Sequence, residues 1–187
     1  LACLVKVPVV PFHAWLPRAH PLAPAHVSAL MSGAMVNVGL YGLARLLLEW
    51  IGEPEAWMGL VLIGLGAVSA LVGVTYALFQ RELKRLLAFS TIENVGVAVI
   101  GVGAALVFRS AGLPALAVLA LVAALYHALN HAAFKALLFL GAGAVVRAIG
   151  TRDLEAMGGL ARRMGGAMRL AGGEGNGAVM EVRLPRL

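Results

Sequence analysis

The chain has 187 residues, 61% of them hydrophobic and 13% charged, and a mean hydropathy of +0.90. An ordinary soluble domain has about a quarter of its residues charged, so water is not the main solvent of this chain. The formal charge of +6 does not indicate a nucleic-acid binder, because Lys and Arg fall in short clusters between apolar runs rather than in one stripe. Cys3 is the single cysteine, which excludes a disulfide framework, a CxxC motif or a thiolate metal cage within the chain.

A membrane-crossing helix needs about 20 apolar residues. Leu1 to Val10 reads as the end of a span. The chain begins at Leu1, inside an apolar run with no basic leader, so it is read as a piece of a longer protein. Pro8, Pro11 and Pro17 punctuate a turn-rich segment carrying His13, Trp15, Arg18 and His20. Ala25 to Leu48 is the first complete span, and the acidic stretch Glu49 to Glu55 is a loop. Trp57 to Phe79 crosses again and ends at Gln80-Arg81-Glu82-Leu83-Lys84-Arg85. Leu86 to Phe108 is a third span. Pro114 opens a fourth helix running to about Val146, too long for a bilayer unless it tilts, kinks or protrudes. The expected fold class is all-α, a polytopic transmembrane helix bundle over residues 1–164 with about four complete spans and one partial one.

Short loops rich in Lys and Arg stay cytoplasmic. If each stretch crosses once, Arg18, the Arg81/Lys84/Arg85 cluster and the group Arg147, Arg152, Arg162 and Arg163 share one side. The Glu49 to Glu55 and Arg109 loops share the other. Arg45 and Glu49, four apart, are expected to pair on one helix.

An ionisable group inside hydrocarbon costs several kcal/mol and is turned toward partners, water or an ion path. In Tyr126-His-Ala-Leu-Asn-His-Ala-Ala-Phe-Lys135, the residues His127, His131 and Lys135 recur every four positions. Four residues advance a helix by about 6 Å and turn it by about 400°, so these three lie on one slowly winding face about 12 Å long. Histidine titrates near neutral pH and a desolvated lysine can do so, which suits a row that passes protons through intervening waters. The competing reading is structural hydrogen bonding between helices. Ser90, Thr91, Glu93 and Asn94 interrupt the preceding span. Glu93 has two candidate partners: the His127 to Lys135 face, or Lys84 and Arg85 by snorkelling. Lys6, just before Pro8 and Pro11, is either an interfacial lysine or part of a broken helix of the kind that lines ion paths.

The run Lys6-Val-Pro-Val-Val-Pro-Phe-His-Ala-Trp-Leu-Pro-Arg-Ala-His20 resembles the signature of the antiporter-like membrane subunits of respiratory complex I, group 4 membrane hydrogenases and multisubunit cation/proton antiporters. Pro24 to Gly33, Gln80 to Ser90 and His127 to Gly143 resemble later blocks of that family in the same order. The stretches Ser90-Thr-Ile-Glu-Asn-Val-Gly96 and Gly150 to Met164 are most similar to the branch of hydrogenase 4 component B and formate hydrogenlyase subunit 3. The resemblance implies a proton-translocating subunit with inverted repeats and a row of protonatable residues across the membrane. It carries Lys6 onto the family's broken-helix lysine, and His127, His131 and Lys135 onto its connecting groups. Asn37 stands where many relatives have lysine, which departs from the usual half-channel.

After Met164 the family would enter another span, whereas Gly165 to Leu187 is glycine-rich and polar and reads as a disordered or divergent tail. No nucleophile elbow, nucleotide fingerprint, haem motif or cysteine cluster appears, so no cofactor or metal is expected in this chain. The leading expectation is a subunit of the cell membrane that couples redox chemistry in partners to proton transfer. Nickel-iron and iron-sulfur centres or flavin would then belong to partner subunits. The alternatives are a cation/proton antiporter subunit and a truncated, non-conducting remnant.

Overall fold

The computed structural model describes residues 2–52 and 54–159, and the backbone of Ala167–Gly173 and Asn176–Arg183. Glu53, Arg162 and Arg163 lie outside the described residues.

The chain opens with a broken helix whose cause is local. Helix α1 (Ala2–Lys6) stops as Pro8 and then Pro11 withdraw backbone N–H donors. A 3-10 turn follows at Phe12–Trp15, and α2 covers Leu16–Leu22 with Pro17 in its first turn, where a missing N–H does no harm. Freed backbone groups in an apolar interior need new partners. The Trp15 indole donates to Val5 O at 2.9 Å, and Val10 N–H donates to Ser69 Oγ at 2.9 Å on a distant helix.

Ala23 is extended ahead of Pro24, as a residue before proline favours. From there α3 (Ala25–Leu30), a π-helical turn (Met31–Met35), α4 (Val36–Arg45) and a second π-helical turn (Leu46–Trp50) run on as one rod, Ala25–Trp50. Three more long helices follow: α5 (Ala56–Leu78), α6 (Leu83–Ser110) and α7 (Pro114–Ile149). All four units are long and apolar enough to cross a membrane. The expected all-α transmembrane bundle is borne out. With 36 residues, α7 is about 54 Å long and continuous from Pro114 to Ile149. Gly150 ends it in the left-handed conformation (φ 81°), its N–H reaching Val146 O at 2.9 Å.

Helix α6 is the most deeply buried of the four, with α5 on one side and α7 on the other. Its contact with α5 rests on glycines seven residues apart. Gly59, Gly66 and Gly73 of α5 lie against Gly103, Gly96 and Glu93 of α6, and a methyl group at Gly66 would come within 2.6 Å of Gly96 O. Backbones meet this closely only where side chains are absent, which lets dispersion hold two helices that gain nothing from hydrophobicity in lipid. Leu60, Val61, Val68 and Leu71 on the other face of α5 are exposed.

The two ends of the bundle are tied separately. At the basic end, Leu83 N–H donates to Arg152 O at 3.2 Å and Leu154 N–H to Arg81 O at 2.8 Å, while Arg81 pairs with Glu155 at 3.3 Å. Arg152 reaches back to Pro21 O at 2.7 Å. At the other end Arg109 donates to Leu48 O, and the Arg45–Glu49 pair closes at 2.8 Å. Beyond the bundle, β1 (Ala167–Gly173) and β2 (Asn176–Arg183) pair antiparallel, with an irregularity between Ala171 and Gly173. These two strands lie in the stretch that the composition reads as a disordered or divergent tail.

Candidate functional site

Helix α7 turns one narrow stripe inward: Ala124, Ala128, His131, Lys135, Phe139 and Ala142 are buried, and His127 is half-buried beside them. The small alanines let α7 approach, and the polar members then fall against α6. His127 Nε2 lies 3.1 Å from Asn94 O. His131 is 1% exposed, meets Phe134 edge to face at 5.3 Å, and has no hydrogen-bond partner at Nε2 among the described residues.

Lys135, also 1% exposed, donates to Leu87 O at 3.0 Å and to Ser90 Oγ. Its partners are neutral oxygens. Leu87 O also accepts from Thr91 Oγ1 at 2.9 Å, and Thr91 Oγ1 is 2.8 Å from Ser32 Oγ. A buried polar network thus links Lys135, through α6, to the π-helical turn of the Ala25–Trp50 rod.

That turn explains how the rod reaches α7. A π-helical turn disturbs the regular backbone ladder and leaves carbonyls for other donors. Gly33 O accepts from Asn37 Nδ2 at 2.7 Å, and the same amide donates to Ala128 O at 3.1 Å. A methyl group at Gly33 would sit 3.2 Å from Ala132 O, so the glycine sets the approach. Asn37 thus ties the rod to α7 one residue from His127.

Glu93 forms no ion pair among the described residues, with the α7 row or with Lys84 and Arg85. Its backbone presses against Gly73 of α5, and its half-buried side chain lies on the border between the faces of α6 that meet α5 and α7. Neither of the two partners the sequence suggests is in ion-pair contact with it, although its charge is near enough to act on Lys135 through space. Lys6 ends α1 and is exposed, with its Cβ and Cγ against Gly39 of α4. No hydrogen bond links it to the α7 row.

Two participants were not picked out from the sequence as site residues. His20 of α2 is fully buried, stacks on Phe139 at 4.6 Å, and has neither ring nitrogen hydrogen-bonded among the described residues. It sits one helical turn of α7 beyond Lys135. Ser90 is the hydroxyl on Lys135, and no spacing rule could reveal a contact across 45 residues. Among the described residues, no three His, Cys, Asp or Glu side chains gather in a way that could hold a metal ion.

Comparison with known proteins places this arrangement. The chain is 50% identical over 161 residues to hydrogenase-4 component B of Escherichia coli (strain K12), covering 85% of this chain and 24% of that protein. Formate hydrogenlyase subunit 3 of the same organism is a separate relative, 43% identical over 156 residues, covering 83% of this chain and 26% of that protein. The chain therefore spans about a quarter of the length of these curated relatives. Among solved structures, a chain of the Mrp complex from Dietzia sp. DQ12-45-1b matches with a TM-score of 0.69 and 38% identity, covering 81% of this chain and 15% of that one. The model of the NADH:quinone oxidoreductase/Mrp antiporter transmembrane family matches residues 1–169. With that match and four membrane-spanning helices, the chain is a multi-pass membrane protein and belongs to this family of antiporter-like, proton-translocating membrane subunits.

Proposed function

We propose that this chain forms part of the proton-translocating membrane subunit of a hydrogenase or respiratory complex, formate hydrogenlyase-like in kind, coupling redox chemistry in partner subunits to proton transfer. The observation that carries the reading is Lys135: a fully buried lysine on one face with His127 and His131, held by a carbonyl and a hydroxyl and by no carboxylate. An ammonium held by neutral contacts, with Glu93 acting on it only through space, is not locked into one protonation state, so the group is able to load a proton and pass it on. His127 and His131 extend the path along α7, spanning about 12 Å with Lys135. Lys6 in the broken helix and Glu93 at the α5–α6 border serve as the groups that feed or drain it. The 50% identity to hydrogenase-4 component B favours partners that carry nickel-iron and iron-sulfur centres or flavin.

A second reading, a subunit of a multisubunit cation/proton antiporter, is favoured by the likeness to the Mrp complex. The full-length subunit in its native complex, reconstituted in liposomes with a pH-sensitive dye, tests both. Lys135→Ala is expected to abolish proton movement while the complex still assembles; unchanged pumping would remove the central assignment. Proton uptake driven by a sodium or potassium gradient, without substrate oxidation, would select the antiporter reading.

A further inference from the structure

A cleft of about 720 Å³ opens at the basic end of the bundle, between the start of the Ala25–Trp50 rod, the first turn of α6 and the last turns of α7. His26, Lys84, Arg147 and Arg152 line it, and no acidic residue does. Two of these cations are held in place by the chain itself: Lys84 Nζ donates to Ala23 O at 2.8 Å and Arg152 to Pro21 O at 2.7 Å. Among the described residues none of Lys84, Arg147 and Arg152 is in an ion pair. Lys84 is only 5% exposed and makes no ion-pair contact among the described residues; Glu82 acts on it only through space, so an incoming anion would still relieve part of its desolvation cost. Glu82, two residues away, neither lines the cleft nor pairs with it.

The chemistry of the walls narrows the anion. Lys84 and Arg152 each give one donor to a carbonyl and keep others, and together with Arg147 these remaining N–H groups suit the oxygens of a phosphate. The cleft is not polar throughout, because its α7 wall contains Leu140 and Gly143, and the apolar surface continues down the helix through the exposed Leu137. This is the side that the charge asymmetry assigns to the cytoplasm, at the level where headgroups meet hydrocarbon. A free phosphate would use the cations and leave the apolar wall idle. A lipid would use both.

We propose that this cleft is a binding site for the phosphate headgroup of an anionic membrane lipid, with Arg147, Arg152 and Lys84 on the phosphate and an acyl chain along α7 past Leu140. The site is separate from the α7 row and does not depend on the transport reading.

Arg147 makes the best test position, since it is exposed at the end of α7 and makes no hydrogen bond that holds the fold among the described residues. The full-length subunit in its complex, delipidated in detergent, would be titrated with dioctanoyl phosphatidylglycerol, dioctanoyl phosphatidylcholine and inorganic phosphate, followed by native mass spectrometry. Phosphatidylglycerol is expected to bind in preference to phosphatidylcholine. Arg147→Ala should weaken it about fivefold, and Arg147→Glu should weaken it further. Arg147→Lys, which keeps the charge, should bind within about twofold of the unaltered protein, which separates lost charge from a disturbed fold. Equal phosphatidylglycerol binding by the unaltered protein and Arg147→Glu would overturn the site. Inorganic phosphate binding as tightly as phosphatidylglycerol, with no preference between the two lipids, would overturn the lipid and leave free phosphate as the occupant.

Discussion

Lys135 and Ser90 illustrate how much depends on single contacts in this bundle. Both partners of the Lys135 ammonium come from one turn of α6, Leu87 O and Ser90 Oγ. Removing the hydroxyl leaves one carbonyl to hold a buried cation, and a lost hydrogen bond to a charged group costs about 1.5–3 kcal/mol. Ser90→Ala is therefore expected to lower the thermal stability of the detergent-solubilised protein and to slow proton movement in liposomes roughly tenfold. Unaltered rates would mean that the lysine does not depend on this hydroxyl. The His127, His131, Lys135 face was legible from spacing alone, because a 3.6-residue helix has no other way to arrange residues four apart. The partner of Lys135 was not legible. A carboxylate such as Glu93 is the natural guess for a buried ammonium, yet rotation of α6 turns the backbone at Glu93 toward α5 and brings Leu87 and Ser90 to α7.

At the scale of elements, the α5–α6 pair is set by glycines that the composition counts but does not explain. A side chain at Gly66 would enter the space of Gly96 O and of Ile100, whereas Gly64 on the same helix has nothing within 4 Å. Gly66→Val is expected to destabilise the fold by about 1–3 kcal/mol, the usual cost of overpacking. Gly64→Ala should have little effect. Thermal unfolding of the two variants in the same detergent compares them directly, and equal melting points would show that the close approach is not needed. The break after α1 works by the opposite device. There the prolines announce it in the sequence, but its repair by Ser69, 59 residues away, appears only once α5 is packed beside it.

For the whole molecule, the alternation of loop charge and the ties at each end of the bundle agree. The end of α2, the α5–α6 turn and the segment after α7 are bonded together at one end, while Leu48 and Arg109 meet at the other. Single cysteines placed by Glu55→Cys and Arg81→Cys, in a background with Cys3→Ala, should react with a membrane-impermeant maleimide from opposite faces of sealed vesicles. Labelling of both from one face would contradict the topology. Sequence by itself determined what depends on transfer from water to lipid and on helical period: the membrane class, the number and limits of the long helices, and the inward row on α7. Such properties are sums over local residues and need no knowledge of neighbours. Only the tertiary structure decided which faces of α5, α6 and α7 meet, that neutral oxygens rather than Glu93 hold Lys135, that His20 lies against Phe139, and that Lys84, Arg147 and Arg152 surround one cleft. Each of these is a contact between groups far apart in the chain, set by the rotation of one helix against another, and small residues such as Gly33, Gly66 and Ala128 allow that rotation without recording it in any local pattern.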